Sequence, residues 1–441
     1  MTDFLIRGGR VIDPGPGFDE VADVLVRDGL VVAVGEPVGA VQDVVTLPAV
    51  GCVVCPGFID LHTHLRFPGF PDKETIASGT AAAAAGGFTT VCAMANTEPA
   101  VDSPAVLAEV LSAASREAHV RVRQLAAVTH GLRGQKLTDM RALADAGAVA
   151  FSDDGKPVWD EDIMREALLG SSALDLPISA HEEDPAIVGG GVANAGRRAR
   201  RHGLEAWPCE GESSMVRRDI ALLEEAGGRL HVAHVSCAET VELIRSAKER
   251  GLRLTSEVTP HHLTLTDELL DGDPPTDLEP AHPLTKVNPP LRSRQDVEAL
   301  IEALTHGTID AVSTDHAPHS DSDKAKTFAT AAFGFSSIET ALPLLLGLVR
   351  DGCLGMSTLL ERLTSGPARV FNVEGGNLAA GRAADICIFD PEKRWVLRPD
   401  VLRSKGKNTP LLGRELRGRV MYTLVAGRVV HNGADEPFSR R

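Results

Sequence analysis

Residues 58–69 read FIDLHTHLRFPG, a short apolar run that passes directly into polar side chains. His62 and His64 lie two positions apart, so both imidazoles point to the same face of an extended strand and can hold one ion. The stretch therefore predicts a buried strand with a candidate ligand pair at its carboxyl end.

Seven further apolar segments follow this strand: TTVCAM (89–94), VRQLAAV (122–128), AVAFS (148–152), PISA (177–180), LHVAHV (230–235), LRLTSEV (252–258) and IDAVST (309–314). Helical stretches rich in Ala, Leu and Glu lie between them, such as residues 105–118 and 215–227. Alternating strands and helices are typical of a parallel sheet covered by helices. Eight such repeats predict an α/β fold, a (β/α)₈ TIM barrel over residues 56–375.

Both ends of the chain have a different, purely β character. Short alternating segments are FLIRGG, RVIDPG, ADVLVRDG, LVVAVG and VVTL at the start and ADICIFD, RWVL and VMYTLVAGRVVHNG at the end. The simplest arrangement joins residues 1–55 and 376–441 into one small β-sandwich domain beside the barrel.

The composition argues against several classes of partner. The 441 residues carry a formal net charge of −16 without a basic cluster, which argues against a nucleic-acid partner. No apolar run is long enough to cross a membrane, and the N-terminus lacks a signal peptide, so a cytoplasmic protein without a membrane partner is expected. Seven scattered cysteines predict free thiols.

Histidines and aspartates collect at the predicted strand ends, where barrel enzymes carry their catalytic groups. His62 and His64 follow the first strand, and the other candidate ligands at separate strand ends are Asp153, His181, His234 and Asp315. Imidazole and carboxylate ligands suit zinc and related divalent ions. His231, three residues before His234, is predicted to face the opposite side of its strand.

Eight motifs in order resemble the dihydroorotases of the amidohydrolase superfamily, specifically the longer bacterial type. They are DLHTHLRFPG (60–69), FSDDG (151–155), AHEED (180–184), HVAHVS (231–236), TPHHL (259–263), KVNPPLR (286–292), STDHAPH (313–319) and FGFSSIET (333–340). The resemblance spans about residues 55–380, and the flanking β unit also matches.

This resemblance implies two zinc ions per subunit. His62, His64 and Asp315 would bind the first ion, and His181 and His234 the second. Many relatives bridge the two ions with a carboxylated lysine, whereas here the FSDDG aspartate, Asp153, is expected to bridge them together with a hydroxide. Asp154 is the nearest competitor, with a solvent-facing or turn carboxylate as its ordinary interpretation.

The resemblance also implies roles in catalysis. Asp315 would act as general base and acid, because a metal-held carboxylate with one free oxygen can accept and return a proton. The expected substrate-binding residues are His64, Arg66, Asn96, Asn288, His319, Phe333 and Gly334. Arg66 suits a substrate carboxylate, since its donors match two carboxylate oxygens.

The implied activity is the reversible interconversion of dihydroorotate and N-carbamoyl-L-aspartate in pyrimidine synthesis. Two alternatives stay open: a hydantoinase or allantoinase, and a non-catalytic partner of aspartate carbamoyltransferase. The residues suited to a carboxylate disfavour the first, and six retained ligand candidates disfavour the second. A homodimer and a complex with aspartate carbamoyltransferase are the partners that the resemblance suggests.

Overall fold

The computed structural model describes residues 2–35, 41–272 and 278–434, so the outermost ends of the two terminal segments lie outside the described residues. The first five strands are β1 (Phe4–Asp13), β2 (Phe18–Arg27), β3 (Leu30–Gly35), β4 (Val45–Pro48) and β5 (Val53–Pro56). The central strands are β6 (Phe58–Thr63), β7 (Phe88–Ala93), β8 (Arg121–Ala126), β9 (Ala148–Phe151), β10 (Ile178–Ala180), β11 (Ala193–Asn194), β12 (Ala206–Trp207), β13 (Leu230–Val232), β14 (Leu254–Val258) and β15 (Ala311–Val312). The last three are β16 (Ile386–Val396), β17 (Glu415–Val425) and β18 (Arg428–Asn432).

Helices connect these strands. They are α1 (Ile76–Ala85), α2 (Pro104–Glu117), α3 (Met140–Asp145), α4 (Glu161–Leu174), α5 (Pro185–Val188), α6 (Arg197–Arg201), α7 (Glu210–Ala226), α8 (Ala238–Glu249), α9 (Pro260–Thr264), α10 (Arg294–His306), α11 (Asp321–Lys324), α12 (Ala341–Arg350), α13 (Met356–Leu363) and α14 (Ser365–Phe371). Three 3₁₀ helices span His130–Leu132, Asp267–Asp271 and Pro283–Thr285. No helix in the described ranges is long and apolar enough to cross a membrane.

Eight parallel strands form the barrel in the order β6, β7, β8, β9, β10, β13, β14, β15, which confirms the predicted fold class. All eight predicted strands are present, and β11 and β12 form a separate small pair. A parallel bridge between Thr63 and His316 nearly closes the ring, and the His64 N–H donates to the His316 carbonyl at 2.9 Å. The carboxyl ends of β6 and β15 thus meet at one side of the mouth.

The strands from both chain ends form one sheet in the order β18, β17, β16, β5, β1, β2, β3, with β4 paired to β1. The pairing of β5 with β16 is antiparallel and joins the two ends of the chain. This sheet has a hydrophobic core of its own, which includes Ile6, Val24, Leu47, Ile388 and Leu424. The connection between β16 and β17 contacts the barrel, where the His319 N–H donates to Asn408 Oδ1 at 2.8 Å.

Two details of the β prediction are wrong. FLIRGG and RVIDPG form the single strand β1, because its ladder with β2 absorbs the glycines as an irregularity between Ile6 and Gly9. ADICIFD and RWVL likewise form the single strand β16, with an irregularity between Asp390 and Arg394. All seven cysteines are free, as predicted.

The barrel and the terminal sheet share one apolar interface. Phe58 on β6 packs edge-on against Phe88 at 5.5 Å between ring centroids and lies 6.4 Å from the ring of Phe389 on β16. Gly87 has a φ of +89°, and a Cβ there would lie 2.6 Å from Cys387 Sγ. Only glycine allows this approach, so the barrel and the sheet pack directly on each other.

Candidate metal centre and active site

Four imidazoles surround one carboxylate at the barrel mouth. His62 lies near the carboxyl end of β6, and His64 follows that strand. His181 and His234 follow β10 and β13. Asp154 oxygens lie 3.3 Å from His62 Nε2, 3.6 Å from His64 Nε2, 3.4 Å from His181 Nδ1 and 3.5 Å from His234 Nε2. All five side chains are buried. Asp154 therefore lies between the two histidine pairs.

The structure does not place Asp153 in this cluster, contrary to the prediction. Its Oδ1 accepts the backbone N–H groups of Val128 and Thr129 at 2.8 and 3.0 Å, and the Thr129 hydroxyl donates to Oδ2. The chain leaves β9 at Phe151, so the alternation of a strand no longer fixes where the two aspartates point. Asp153 instead ties the end of β8 to the residues after β9. Burial raises the pKa of Asp153 to about 6, although these hydrogen bonds oppose that effect.

Asp315 adjoins the first histidine pair. Its Oδ1 lies 3.1 Å from His64 Nε2 and 3.6 Å from His62 Nε2. Burial alone would raise its pKa, but the hydrogen bond from His64 and the charges of the surrounding histidines lower it to about 2. Asp315 is therefore ionised at neutral pH and able to accept a proton.

Three residues in or beside this cluster have a strained backbone. Arg66, His234 and Asp315 have φ values of 58°, 34° and 44°. Left-handed backbone is uncommon outside glycine and persists where surrounding contacts hold it, most often at functional sites. At His234 this conformation also breaks the strand alternation. His231 lies 3.3 Å from Glu257, the partner of His62, and His234 lies 3.5 Å from Asp154, so both side chains reach the interior of the barrel and the prediction that they face opposite sides is wrong.

Three of the four histidines have a partner on the outer nitrogen. His62 Nδ1 lies 2.9 Å from Glu257 Oε1, His64 Nδ1 lies 3.0 Å from Asn96 Oδ1, and His181 Nε2 lies 3.0 Å from Glu183 Oε2. These partners fix ring orientation and leave the opposite nitrogen facing Asp154. Carboxylate and carbonyl partners of this kind are typical of metal-binding histidines.

The donor set fits a divalent metal ion. Two groups of side chains bring ligand atoms within 4.8 Å of one another: His62 with His64 and Asp154, and His181 with His234 and the same Asp154. His62 Nε2 is buried without a hydrogen-bond partner in the described structure. Burial would lower the pKa of His62, but the charges of Asp154 and Asp315 and the Glu257 contact raise it well above its usual value. A site that favours added positive charge so strongly suits a cation.

A cavity of about 240 Å³ opens beside these ligands. It brings together every predicted substrate residue, and its lining includes His64, Arg66, Asn96, Asn288, His319, Phe333 and Gly334. Arg66 forms no salt bridge with any described residue; its Nε donates to the Pro318 carbonyl at 3.2 Å. Asn288 Oδ1 is buried without a hydrogen-bond partner in the described part of the chain. Both side chains thus retain polar capacity for a ligand.

Sequence reasoning missed the residues that support the histidines. Glu257 contacts His62 through one oxygen and lies 3.3 Å from His231 Nε2 through the other. Glu183 contacts His181 and accepts from Asn288 Nδ2 at 3.1 Å. A carboxylate inside the apolar strand LRLTSEV was the available signal for Glu257, since an unpaired buried charge is costly.

The fold and the site define a divalent-metal hydrolase of the amidohydrolase type. A family model described as Dihydro-orotase-like matches residues 51–240. A protein named dihydroorotase from Anaeromyxobacter dehalogenans (strain 2CP-1) is 50% identical over 433 residues, which covers 98% of each chain. Another, from Syntrophus aciditrophicus, is 46% identical and covers 97% of this chain and 99% of its own. The chain belongs to the dihydroorotase family.

Solved structures support the same architecture. The L-hydantoinase (dihydropyrimidinase) from Arthrobacter aurescens superposes with a TM-score of 0.87 at 28% identity, covering 99% of this chain and 97% of its own. The dihydropyrimidinase from Brevibacillus agri gives a TM-score of 0.83 at 25% identity, over 98% and 95% of the two chains. Because both superpositions cover nearly the whole chain, these two structures match the barrel and the terminal sheet together.

Proposed function

We propose that this protein hydrolyses dihydroorotate to N-carbamoyl-L-aspartate and catalyses the reverse cyclisation. The observation that carries the proposal is one cavity that joins a cation-binding histidine–aspartate cluster to a guanidinium without a salt-bridge partner in the described structure. The substrate has both features that this cavity would recognise: a ring amide to be cleaved and a carboxylate to be held. The family of the chain supports the same reaction.

Two zinc ions per subunit are the proposed cofactors. His62 and His64 with Asp315 would hold one ion, His181 and His234 the other, and Asp154 would replace Asp153 as the shared carboxylate. Bound zinc lowers the pKa of water to ~7 and polarises a carbonyl, which is the chemistry that amide hydrolysis needs at neutral pH.

Asp315 is proposed to move the proton. Its low pKa keeps it ionised, so it can take a proton from the attacking water. It then delivers that proton to the ring nitrogen as the C–N bond breaks. In the reverse direction it removes the proton from the ureido nitrogen before ring closure.

Replacement of Asp315 by Asn tests this role. The amide keeps a ligand oxygen but cannot accept the proton, so kcat should fall by ~10²–10⁴. The zinc content of the variant, measured by elemental analysis, should stay near that of wild type. Near wild-type turnover with verified metal content would assign proton transfer to another group.

Arg66 and Asn288 are proposed to select the substrate. The two outer nitrogens of Arg66 can pair with both carboxylate oxygens, and Asn288 Oδ1 can accept from a ring N–H. A hydantoin or allantoin ring offers no carboxylate at this position. The hydantoinase alternative therefore leaves the half-buried Arg66 guanidinium, which contacts the Pro318 carbonyl and His319, without a carboxylate partner.

Assembly, location and domain limits complete the proposal. We infer a cytoplasmic homodimer, with association with aspartate carbamoyltransferase as a further state. The proposed domains are residues 56–375 for the barrel and 1–55 with 376–441 for the β domain, supported by the two separate sheets.

One assay with a matched substrate tests the function. Purified protein should hydrolyse dihydroorotate, lose activity on chelation and recover it with added zinc. Hydantoin, a cyclic amide without the carboxylate, should be turned over at least tenfold more slowly. Equal turnover of both rings would favour the hydantoinase alternative, and full activity in metal-free protein would contradict the metal centre.

A further inference from the structure

The side chain of Asn408 lies at the edge of the candidate active site, although it comes from the segment between β16 and β17. It is 4% exposed and uses all four of its hydrogen-bonding positions. Oδ1 accepts from the His319 N–H and the Ser336 hydroxyl, both at 2.8 Å. Nδ2 donates to the carbonyls of Ala317 and Gly334 at 3.1 and 3.0 Å.

These four bonds join the two ends of the loop formed by residues 320–335. Ala317 and His319 precede the loop, and Gly334 and Ser336 lie at its end. The two ends also pack closely on each other: Gly334 has a φ of +125°, and a Cβ there would lie 2.6 Å from the Ala317 Cβ. Asn408 therefore adds to the direct bond from the Ala317 N–H to the Phe335 carbonyl at 2.7 Å and helps to fix the spacing of His319 and Gly334, which both line the cavity.

The segment that carries Asn408 is itself held by two carboxylates of the barrel, the buried Glu74 and the half-buried Glu339. Glu339 accepts the N–H groups of Arg403 and Ser404 at 2.8 and 3.0 Å. Glu74 accepts from the Ser404 hydroxyl at 2.6 Å and from the Lys405 N–H at 3.1 Å. The 403–408 segment is thus anchored independently of the loop, so the segment can hold the two ends of the loop in place.

We propose that Asn408 is a positioning residue for substrate binding, which holds His319 and Gly334 at the distance that the substrate ring requires. This inference rests on the proposed function, because it assigns the two residues a substrate contact. It extends the active site to the C-terminal part of the chain. Asn408 does not touch the histidine–aspartate cluster and should leave the chemical step unchanged.

The test is Asn408→Ala in the full-length metal-loaded protein. Loss of four bonds should raise KM for dihydroorotate about tenfold or more, with kcat changed less than about threefold and zinc content unaltered. Asn377→Ala removes a half-buried asparagine with two local backbone bonds and is the matched control. Ser336→Ala removes one bond to Asn408 together with the contact of the same hydroxyl with the Gly406 carbonyl at 2.8 Å, and it should raise KM by about twofold to threefold.

Hydrogen exchange separates this proposal from the proposed function. In Asn408→Ala the amides of residues 317–319 and 334–336 should exchange faster, while those of α4 should not change. If these amides exchange faster in Asn408→Ala but the wild-type protein does not hydrolyse dihydroorotate, the proposed substrate is refuted and the positioning role of Asn408 remains supported. An unchanged KM in Asn408→Ala overturns the proposal, as does a parallel loss of kcat and zinc. If Asn408→Ala does not fold, an unchanged KM in Ser336→Ala overturns it.

Discussion

At the scale of single residues, the site is organised by one negative charge shared among four imidazoles. Burial would raise the pKa of Asp154, but the charge of His62 and hydrogen bonds from His181 and His234 hold it well below its usual value. In turn, Asp154 and Glu183 raise the pKa of His181 to about 10 against the opposing effect of burial. The protonated imidazoles supply positive charge that a divalent ion would replace.

This arrangement gives Asp153 and Asp154 different expected phenotypes. Asp154→Asn should lose bound zinc and nearly all activity, because it removes the only charge that faces both histidine pairs in the described structure. Asp153→Asn should keep the metal and lower the free energy of unfolding by about 1–3 kcal/mol, since it disturbs buried hydrogen bonds to Val128 and Thr129. Elemental analysis and denaturant unfolding of both variants make the comparison. Zinc loss from Asp153→Asn alone would return the bridging role to Asp153.

Arg66 tests how the substrate carboxylate is held. Arg66→Lys should raise KM strongly without a change in zinc content, because an ammonium cannot reproduce the paired contacts of a guanidinium. Steady-state kinetics on dihydroorotate measure the effect, and Arg382→Lys, an exposed position, serves as control. An unchanged KM would remove Arg66 from the substrate site.

Residue identity predicted the histidines of the centre but not the choice between adjacent aspartates. His62, His64 and His181 sit on or directly after regular strands, where alternation fixes direction. Asp153 and Asp154 follow the last residue of β9, where backbone torsions outside any regular element decide which carboxylate turns inward. His231 was misjudged for the same reason, because the positive φ of His234 could not be read from its neighbours.

At the scale of elements, short strands carry the candidate metal ligands and also the residues that orient them. Near its carboxyl end β14 carries Glu257, whose two oxygens reach His62 on β6 and His231 on β13. Burial would raise the pKa of Glu257, but its contacts with His231 and His62 lower it well below the usual range. An ionised carboxylate inside the barrel therefore orients a candidate ligand across three strands.

Glu257→Gln should weaken zinc binding by ~10–100-fold, as expected when the carboxylate partner of a metal-binding histidine is lost. Gln keeps the shape and one acceptor, so the fold should survive. Zinc titration with a competing chelator measures the affinity, and Glu298→Gln, an exposed residue on α10, is the control. Equal affinities in both variants would show that His62 needs no charged support.

Periodicity predicted the elements better than their limits. All eight barrel strands were found because each is a compact apolar run bounded by helical segments. The merging of predicted segments into β1 and β16 was missed, since glycine, proline and charged residues interrupt the pattern while the ladder continues through irregularities. Side-chain patterns report burial, whereas ladder continuity depends on partner strands distant in sequence.

At the scale of the whole molecule, the barrel and the terminal sheet behave as one packed body. Phe389 on β16 and Val420 on β17 belong to the same buried cluster as Phe58 and Phe88 of the barrel. The Thr423 hydroxyl also donates to the Ala84 carbonyl on α1 at 2.7 Å, and Arg121 of β8 forms an ion pair with Asp385. A large apolar interface of this kind opposes independent motion of the two parts.

Truncation of Phe389 at this interface should therefore destabilise the entire chain. Phe389→Ala leaves a cavity beside Phe58 and should lower the free energy of unfolding by about 3–5 kcal/mol. Val396→Ala, at the exposed end of the same strand and 44% exposed, should change it by less than about 0.5 kcal/mol. Because the cluster spans both parts, fluorescence, circular dichroism and residual activity should decline in one common transition in Phe389→Ala. Two separated transitions, with activity lost only in the second, would show that the barrel retains its site without the terminal sheet.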